Sequence, residues 1–581
     1  GNNNDWTSEG GLTESDVMVD SPTNNFATLN PLSVPNSTSP TFSEGNLKTI
    51  IANDGSKWGG SSTFGRSSGK FYFEVICTEA NNVYIGVADE TGAAEAARID
   101  NNEVTSGNMI LYRNYNGNKR VITNGSAVDS SYASTYTTTD IIGVAVDVDN
   151  SQITFYKNNS SLGATSIPST SESLLIVVSG GTGGSQNTFY LNAGQDSSFA
   201  GNKTPQGNQD ANGIGDFYYA PPNSYLSLCS ANLPSVDVIP SEHFNTVLYT
   251  GDGTTSHAVT GVGFGSAPDF VWIKEREANG GHIAAHVLQD IVRGATNYLV
   301  SSATNAESTG VMLSLDSDGF TTNNSGATNE SGQPYVAWNW KAGGSAVSNT
   351  NGTITSQVSA NPSAGFSIVS YTGSGSAGTV GTGLSQRADL IITKGRSNSG
   401  NWVTWHKDLT GAFDSNGGYA YLNSTGAAAT TTVFYDGTGF TSSVFKWRGG
   451  NENVNQSSRT YLSYCFHSVE SYSKVGSYTG NGSTDGTFVH CGFRPAFVMV
   501  KRTNSTQDWT LFDNTRNPAN ATNLYLHPNS SAADGSGIGD GIDLVSNGFK
   551  MRHQANVTNN SGSPYIFLAF AESPFKHSNA R

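Results

Sequence analysis

Short apolar runs alternate with stretches of Gly, Asn, Ser and Thr along nearly the whole chain. Runs of this length between turn-forming residues predict strands, and no long helix is evident. In the N-terminal part the predicted strands are GKFYFEV (Gly69 to Val75), VYIGVAD (Val83 to Asp89), DIIGVAVDVDNSQITFYKNN (Asp140 to Asn159) and FYLNAG (Phe189 to Gly194). The third reads as a hairpin: one strand ends in the turn Asp147-Val148-Asp149-Asn150, and Ile153 to Tyr156 returns. The pattern predicts an all-β fold of antiparallel sandwiches.

From residue 240 onward the pattern repeats three times. A Tyr-Thr-Gly turn ends a strand at Tyr249, Tyr371 and Tyr478. An apolar strand ending in lysine follows: PDFVWIK to Lys274, RADLIITK to Lys394 and PAFVMVK to Lys501. A Gly-Phe turn comes next, at Gly319, Gly439 and Gly548, and then an apolar strand from Tyr335, Tyr461 or Tyr565. The first step along the three Tyr, Lys and Gly markers is 122, 120 and 120 residues, and the second is 107, 107 and 109. Matching offsets in a fixed order predict three homologous β domains, and a period this long fits whole domains in series rather than a solenoid. The expected boundaries are 1–235 for an unrelated first sandwich, then 240–345, 363–470 and 471–581. Lys341 to Ala364, rich in Gly, Ser and Thr, reads as a linker or an edge loop.

A chain of 581 residues is too long for one core. With aromatics at 10% it has large rings to bury, and with charged residues at only 13% it is unlike a typical enzyme. A net charge of −16 without Lys/Arg blocks argues against nucleic acid as a partner. Cys77, Cys229, Cys465 and Cys491 stand far apart, so neither a zinc motif nor a disulfide framework is predicted. No apolar run is long enough to insert in a membrane, and GNNNDWTSEGG at the start lacks the features of a signal peptide.

In the first 235 residues, Gly69, Lys70, Tyr72, Glu74 and Val75 are followed by Tyr84 to Val87, then Ile142 to Ala145 with Asp147, then Ile153 with Phe155 to Asn158. This order resembles the SPRY domain over about residues 25–232. The resemblance implies a concanavalin-like bent sandwich that binds ligands through loops and does no chemistry. The lead-in NNFATLNPL, the SPRY-like part, the tandem copies and the ending FAESPFKHSNAR together resemble long structural proteins of marine tailed bacteriophages. That resemblance implies a jelly-roll-like character for the copies and a virion surface protein, a tail fibre or spike component released by lysis. Its implied partners are other virion proteins and a host surface glycan or protein, and its implied state is a homotrimer. Two other readings stand beside host attachment: a capsid-decoration or tail protein without a receptor role, and a glycan-degrading spike.

A glycosidase needs two facing carboxylates. The candidates Asp147/Asp149, Asp316/Asp318 and Asp540/Asp543 all lie in turn sequences, where carboxylates cap backbone, and none recurs as a pair among the copies. An Asp and an Arg three residues on recur at Asp290/Arg293 and Asp513/Arg516, with Asp408 but no Arg in the middle copy; an ion pair fixing a loop is the expectation. Asp147 to Asn150 and Asp534 to Asp540 match no calcium loop, and His282, His286, His467, His490 and His553 have no metal-binding spacing, so no metal and no cofactor are expected. Trp338 and Trp340 alternate on one strand face and are expected in the core. Trp402, Trp405 and Trp509 are the candidate ligand-binding residues, as a platform on which a sugar could stack.

Overall fold

The computed structural model describes residues 24–34, 40–52, 59–80, 82–94, 104–170, 172–180, 186–277, 285–413, 417–536 and 541–577. It is nearly all β, as the pattern predicts. The chain forms two compact units, Gly1–Ser235 with Phe488–His490, and Val236–Thr487 with Cys491–Arg581. Among the described residues no helix is long and apolar enough to cross a membrane. All four cysteines are buried thiols without a disulfide.

The first unit has two sheets. One runs in space Thr41–Ser43, Lys48–Ile51, Asn187–Asn192, Lys70–Glu79, Ile141–Asp147, Gln152–Lys157, Ser160–Ser166, with Leu226–Ser227 parallel to Lys70–Glu79. The other runs Gly59–Ser61, Leu174–Gly180, Val83–Asp89, Met109–Arg113, Asn118–Thr123, Ser126–Ser131. Along Lys70–Glu79, Phe71, Phe73 and Val75 alternate with Tyr72, Glu74 and Ile76, and both sets are buried. The second set is covered by the segment after Asn192: Phe199 packs on Ile76, Ile141 and Tyr190, and Phe217 packs on Tyr72 and Ala145. Glu74 pins that segment down. Its carboxylate accepts from the backbone N–H of Tyr218 (2.9 Å) and Tyr219 (2.8 Å), from Tyr72 Oη (3.2 Å) and from Asn192 Nδ2 (3.2 Å). The expected hairpin is present, with Asp147 opposite Gln152.

In the second unit one strand order recurs three times. The Tyr-Thr-Gly strands are Phe244–Thr250, Phe366–Thr372 and Ser473–Thr479. The lysine strands are Phe270–Glu275, Leu390–Gly395 and Phe493–Arg502. Between them lies the strand that comes last in sequence: Pro334–Trp340, Thr460–Phe466 or Pro564–Pro574. A fourth strand, Val287–Asp290, Val403–His406 or Trp509–Asp513, flanks the lysine strand. The recurrent tyrosines face each other across these strands: Tyr249 stacks on Tyr335 (ring centroids 5.1 Å apart), Tyr371 on Tyr461 (5.4 Å) and Tyr478 on Tyr565 (4.9 Å). Segment Lys341 to Ala364 is more than a linker. Val347–Asn349 and Ser356–Asn361 form a hairpin that widens the second copy's sheet beyond Phe366–Thr372.

The three copies do not keep separate cores. One face of the first copy's sheet packs on its own small sheet through Val271, Ile273, Tyr335, Ala337 and Phe320. The opposite face, with Phe270, Trp272, Trp338 and Trp340, belongs to one cluster of buried side chains drawn from all three copies. Phe270 stacks on Tyr464 of the second copy (4.3 Å), and Phe244 on Phe570 of the third (5.0 Å). The second and third meet through Phe466 and Phe570 (5.9 Å). Since an aromatic stripe is buried on each of three sheets, closing them around one centre removes all three from water at once.

Candidate functional site

The tryptophans singled out from sequence lie inside the second unit. Trp402 and Trp405 are 0% exposed and Trp509 is 1%. With no ring face at the surface they cannot stack on a sugar, and the expectation of a platform there is corrected. Two of them are seam residues: Trp402 Nε1 donates to Val300 O of the first copy (2.8 Å) and Trp509 Nε1 to Tyr421 O of the second (3.0 Å). Trp405 Nε1 donates to Ala412 O (3.2 Å) within its own copy.

The Asp…Arg pairs are also seam residues. Register places Asp290, His406 and Asp513 at one position, each on the fourth strand opposite Phe270, Leu390 or Phe497. The middle-copy equivalent of Asp290 is therefore His406, not Asp408. At the seam between copies one and two, Arg293 Nε donates to Asp290 Oδ2 (2.6 Å), and Tyr464 Oη donates to the same oxygen (2.9 Å). Arg396 clasps Glu307 with Nε and Nη2, both at 3.0 Å. The seam between copies three and one repeats this: Arg516 Nε to Asp513 Oδ2 (2.6 Å), Trp338 Nε1 to the same oxygen (3.1 Å), and Arg276 Nε to Asp534 Oδ2 (2.8 Å). At the remaining seam the corresponding positions hold His406, Leu409, Ala428, Thr503 and Leu568. There Ala428 N donates to Thr503 O (2.8 Å), where Glu307 N donates to Arg396 O (2.8 Å) and Asp534 N to Arg276 O (2.7 Å). Burial holds the His406 imidazole below its ordinary pKa, so a neutral ring stands here where the other seams carry a buried Asp–Arg pair.

Each recurrent lysine is fully buried and held by backbone carbonyls. Lys394 Nζ donates to Thr304 O of the first copy and to its own Gly395 O, both at 3.1 Å. Lys501 Nζ donates to Thr425 O of the second copy (2.9 Å), and Lys274 Nζ to Glu275 O (2.5 Å). Burial pushes all three ammonium groups down to about 8.

The carboxylate pairs serve turns. Asp147 bonds Lys70 (2.7 Å) and Asp149 accepts from Gly69 N (2.7 Å). Asp316 accepts from Thr321 Oγ1 (2.7 Å), and Asp318 from the N–H groups of Gly261 (3.2 Å) and Gly263 (2.9 Å). Asp543 pairs with Arg552 (3.1 Å), while Asp540 and His282 lie outside the described residues. Among the described residues no group of three His, Cys, Asp or Glu side chains could hold a metal ion. At the centre of the second unit an apolar cavity of about 10 Å³, lined from all three copies, has room for about one water. Beside the Val347–Asn349 hairpin strand a cleft of about 350 Å³ is lined by Val347, Asn349, Thr350, Val358, Pro362 and Gly383, none of them titratable. On the first unit Tyr115 is 69% exposed, and Arg113 lies between its ring (5.3 Å) and that of Tyr84 (5.1 Å).

The four markers miss a further tyrosine. Tyr298, Tyr419 and Tyr525 hold one position, two residues before the seam residues Val300, Tyr421 and His527, and their spacings of 121 and 106 match the other markers. Those offsets were the available signal. These three are half-buried, as is Tyr249 among the stacked tyrosines. Each is paired with a small residue on the neighbouring edge strand: Tyr298 with Ser308, Tyr419 with Ala429 and Tyr525 with Gly535.

Two family models match the chain. Residues 70–196 match the SPRY domain, and residues 239–574, more than half of the chain, match a model described as Domain of unknown function (DUF7483). Among solved structures, the PSpry domain of TRIM65 is 17% identical, covering 29% of this chain and 92% of that one, with a TM-score of 0.23. The SPRY domain of human HERC1 is 18% identical, covering 28% and 96%, with a TM-score of 0.23. The carbohydrate binding module CBM66 from Bacillus subtilis is 8% identical, covering 29% and 93%, with a TM-score of 0.21. No curated protein matches the chain.

Proposed function

The chain belongs to the DUF7483 family and carries a SPRY domain ahead of that region, and from this premise we propose that it is a virion surface protein of a tailed bacteriophage, a fibre or spike component that attaches to the host cell surface through glycans. The observation that carries the reading is the threefold recurrence in the second unit. One chain presents the same four-strand order three times around a common core. Weak contacts repeated on a rigid frame gain strength through avidity, which suits attachment to a repetitive surface. The cleft beside the Val347–Asn349 strand is lined by no titratable group, which supports binding over hydrolysis. The phage assignment rests on the resemblance carried by the lead-in, the tandem markers and the chain's ending.

The second reading, a structural virion component, is favoured by the neutral cleft and the solid centre, which would make a good spacer. Incubation of the labelled chain with candidate host bacteria and with purified particles separates the two. Selective retention on host cells is expected. Retention on particles alone would replace attachment with the structural role.

A further inference from the structure

We infer that the cleft between the Val347–Asn349 strand and the segment 381–383 is a saccharide site that takes a neutral sugar of the host surface; the inference rests on the attachment reading and gives it a place on the chain. The cleft belongs to the second copy alone. In the first and third copies the Tyr-Thr-Gly strand is the edge of its sheet, whereas in the second the hairpin carries the sheet past it. The hairpin's inner strand, Ser356–Asn361, gives Val358 to the shared core, but the outer strand gives it no side chain, and Val347 stands 66% exposed. Two copies do without that outer strand, so its presence in the second calls for a reason other than packing.

Register builds the cleft. Val347 lies opposite Val358 and Asn349 opposite Ser356, so these four side chains share one face of the hairpin. The segment 381–383 crosses that face at close range. A Cβ on Gly381 would collide with Asn349 Oδ1, and one on Gly383, where φ is +73°, would stand 2.8 Å from Val358 Cγ1. Glycine at both positions lets this segment form a wall without filling the space before it, and about 350 Å³ stays open. The polar groups there are oriented and uncommitted. Asn349 Oδ1 accepts from Asn351 N (2.9 Å), which fixes the amide with its NH2 group on the other side. Among the described residues no acceptor takes those two hydrogens, and the hydroxyls of Ser345, Ser348 and Thr350, which also line the cleft, have no protein partner.

The lining chooses the ligand. Val347, Val358, Ala360 and Pro362 set an apolar surface beside the amide and hydroxyls, and no lining side chain is charged. A sugar ring offers C–H groups on its faces and hydroxyls around its rim, which accept from an amide and exchange hydrogen bonds with other hydroxyls. An acidic sugar or a phosphate would be desolvated here with no cation to answer it, on a chain of net charge −16. Small-ligand clefts hold ~300–1,000 Å³, and one at the lower end takes a short stretch of glycan, a chain end or a side branch. With one such cleft per chain, strength comes from several chains on one particle.

The test uses the full chain and the polysaccharide stripped from the bacterial cells that retain it, separated by anion exchange into neutral and acidic fractions. Asn349→Asp keeps the oxygen that accepts from Asn351 and replaces the NH2 donor with a second acceptor. Thr350→Trp covers the cleft from an exposed position. The parent is expected to bind the neutral fraction, and each variant to lose about tenfold or more in affinity with its thermal midpoint unchanged. If the parent binds the neutral fraction and either variant binds it as tightly, the site is overturned. If the parent binds cells but only the acidic fraction, or neither, the neutral-sugar assignment is overturned and attachment stands. If the parent binds no cells, the attachment reading falls and this site with it.

Discussion

Trp402, Trp509 and His286 occupy one position, four residues before His406, Asp513 and Asp290. The two indoles reach a carbonyl of the neighbouring copy; at His286 the ring nitrogen Nδ1 instead accepts from Trp272 Nε1 (2.9 Å), which places its proton on Nε2. Aromatic content alone could not tell these residues from a surface platform, because burial depends on which strand faces come together when three copies close. The enclosure of the three marker lysines is equally hidden in the sequence, since nothing in a strand ending in Lys tells a buried ammonium from an exposed one. A pH dependence follows. Burial lowers these lysines to about 8, so between pH 8 and the ordinary lysine value the unfolded chain holds protons that the folded chain has released. Stability then rises with pH. Lys550, also lowered by burial, acts in the same direction, while Cys465 and buried tyrosines such as Tyr371 and Tyr478, all raised by burial, oppose it toward the upper end of the window. The thermal midpoint of the second unit is expected to climb by a few degrees from pH 7.5 to 9.5, and a flat or falling midpoint would refute the assignment.

At the scale of strands and seams, five positions change together: two seams carry buried Asp, Arg and carboxylate–Arg pairs, and the third carries His406, Leu409, Ala428, Thr503 and Leu568. A buried charge without its partner costs about 3–5 kcal/mol, so a charged face tolerates only the face that answers it. Native order matches every seam, whereas putting copy three in the place of copy two, with its lysine strand against the Glu307 face of copy one, would oppose Glu307 to Thr503. The Glu307–Arg396 pair is 16% and 21% exposed, so Glu307→Ala and Arg396→Thr are each expected to lower unfolding stability by about 1–2 kcal/mol, and the double variant, which recreates the neutral chemistry, to recover about 1 kcal/mol of the sum. Additive losses in denaturant unfolding would show that the two residues are not coupled. The strands and their markers were legible from periodicity, turn residues and constant offsets. The seams were not, since they join residues such as Arg276 and Asp534, 258 positions apart, through no local pattern. The second copy's extra hairpin was hidden for a different reason: Val347–Asn349 is mostly exposed, so it lacks the apolar alternation by which strands are recognised.

For the whole molecule, sharing one core among three copies removes the independence that a tandem repeat normally has. The second unit is expected to unfold in calorimetry as one cooperative transition rather than three, with the first unit giving its own. Three resolved transitions from the second unit would contradict the shared core. The fold class and the SPRY domain were readable because their motifs are local. The closure of the copies around one centre was not, because both a string and a ring of sandwiches write the same strands.

That closure also sets a schedule for synthesis. Arg276 and Trp338 meet their partners only when Asp534 and Asp513 have been made. At about 5–20 residues per second, a gap of 258 residues leaves the first copy's aromatic face waiting roughly 10 to 50 seconds. Joining ends that far apart costs about 5 kcal/mol in chain entropy before the last seam repays it. During that interval the nascent chain displays Phe270 and Trp340 to whatever lies nearby, including another ribosome's copy of the same face. Its yield in a cell is therefore governed by translation speed and chaperone cover as much as by the stability of the finished ring.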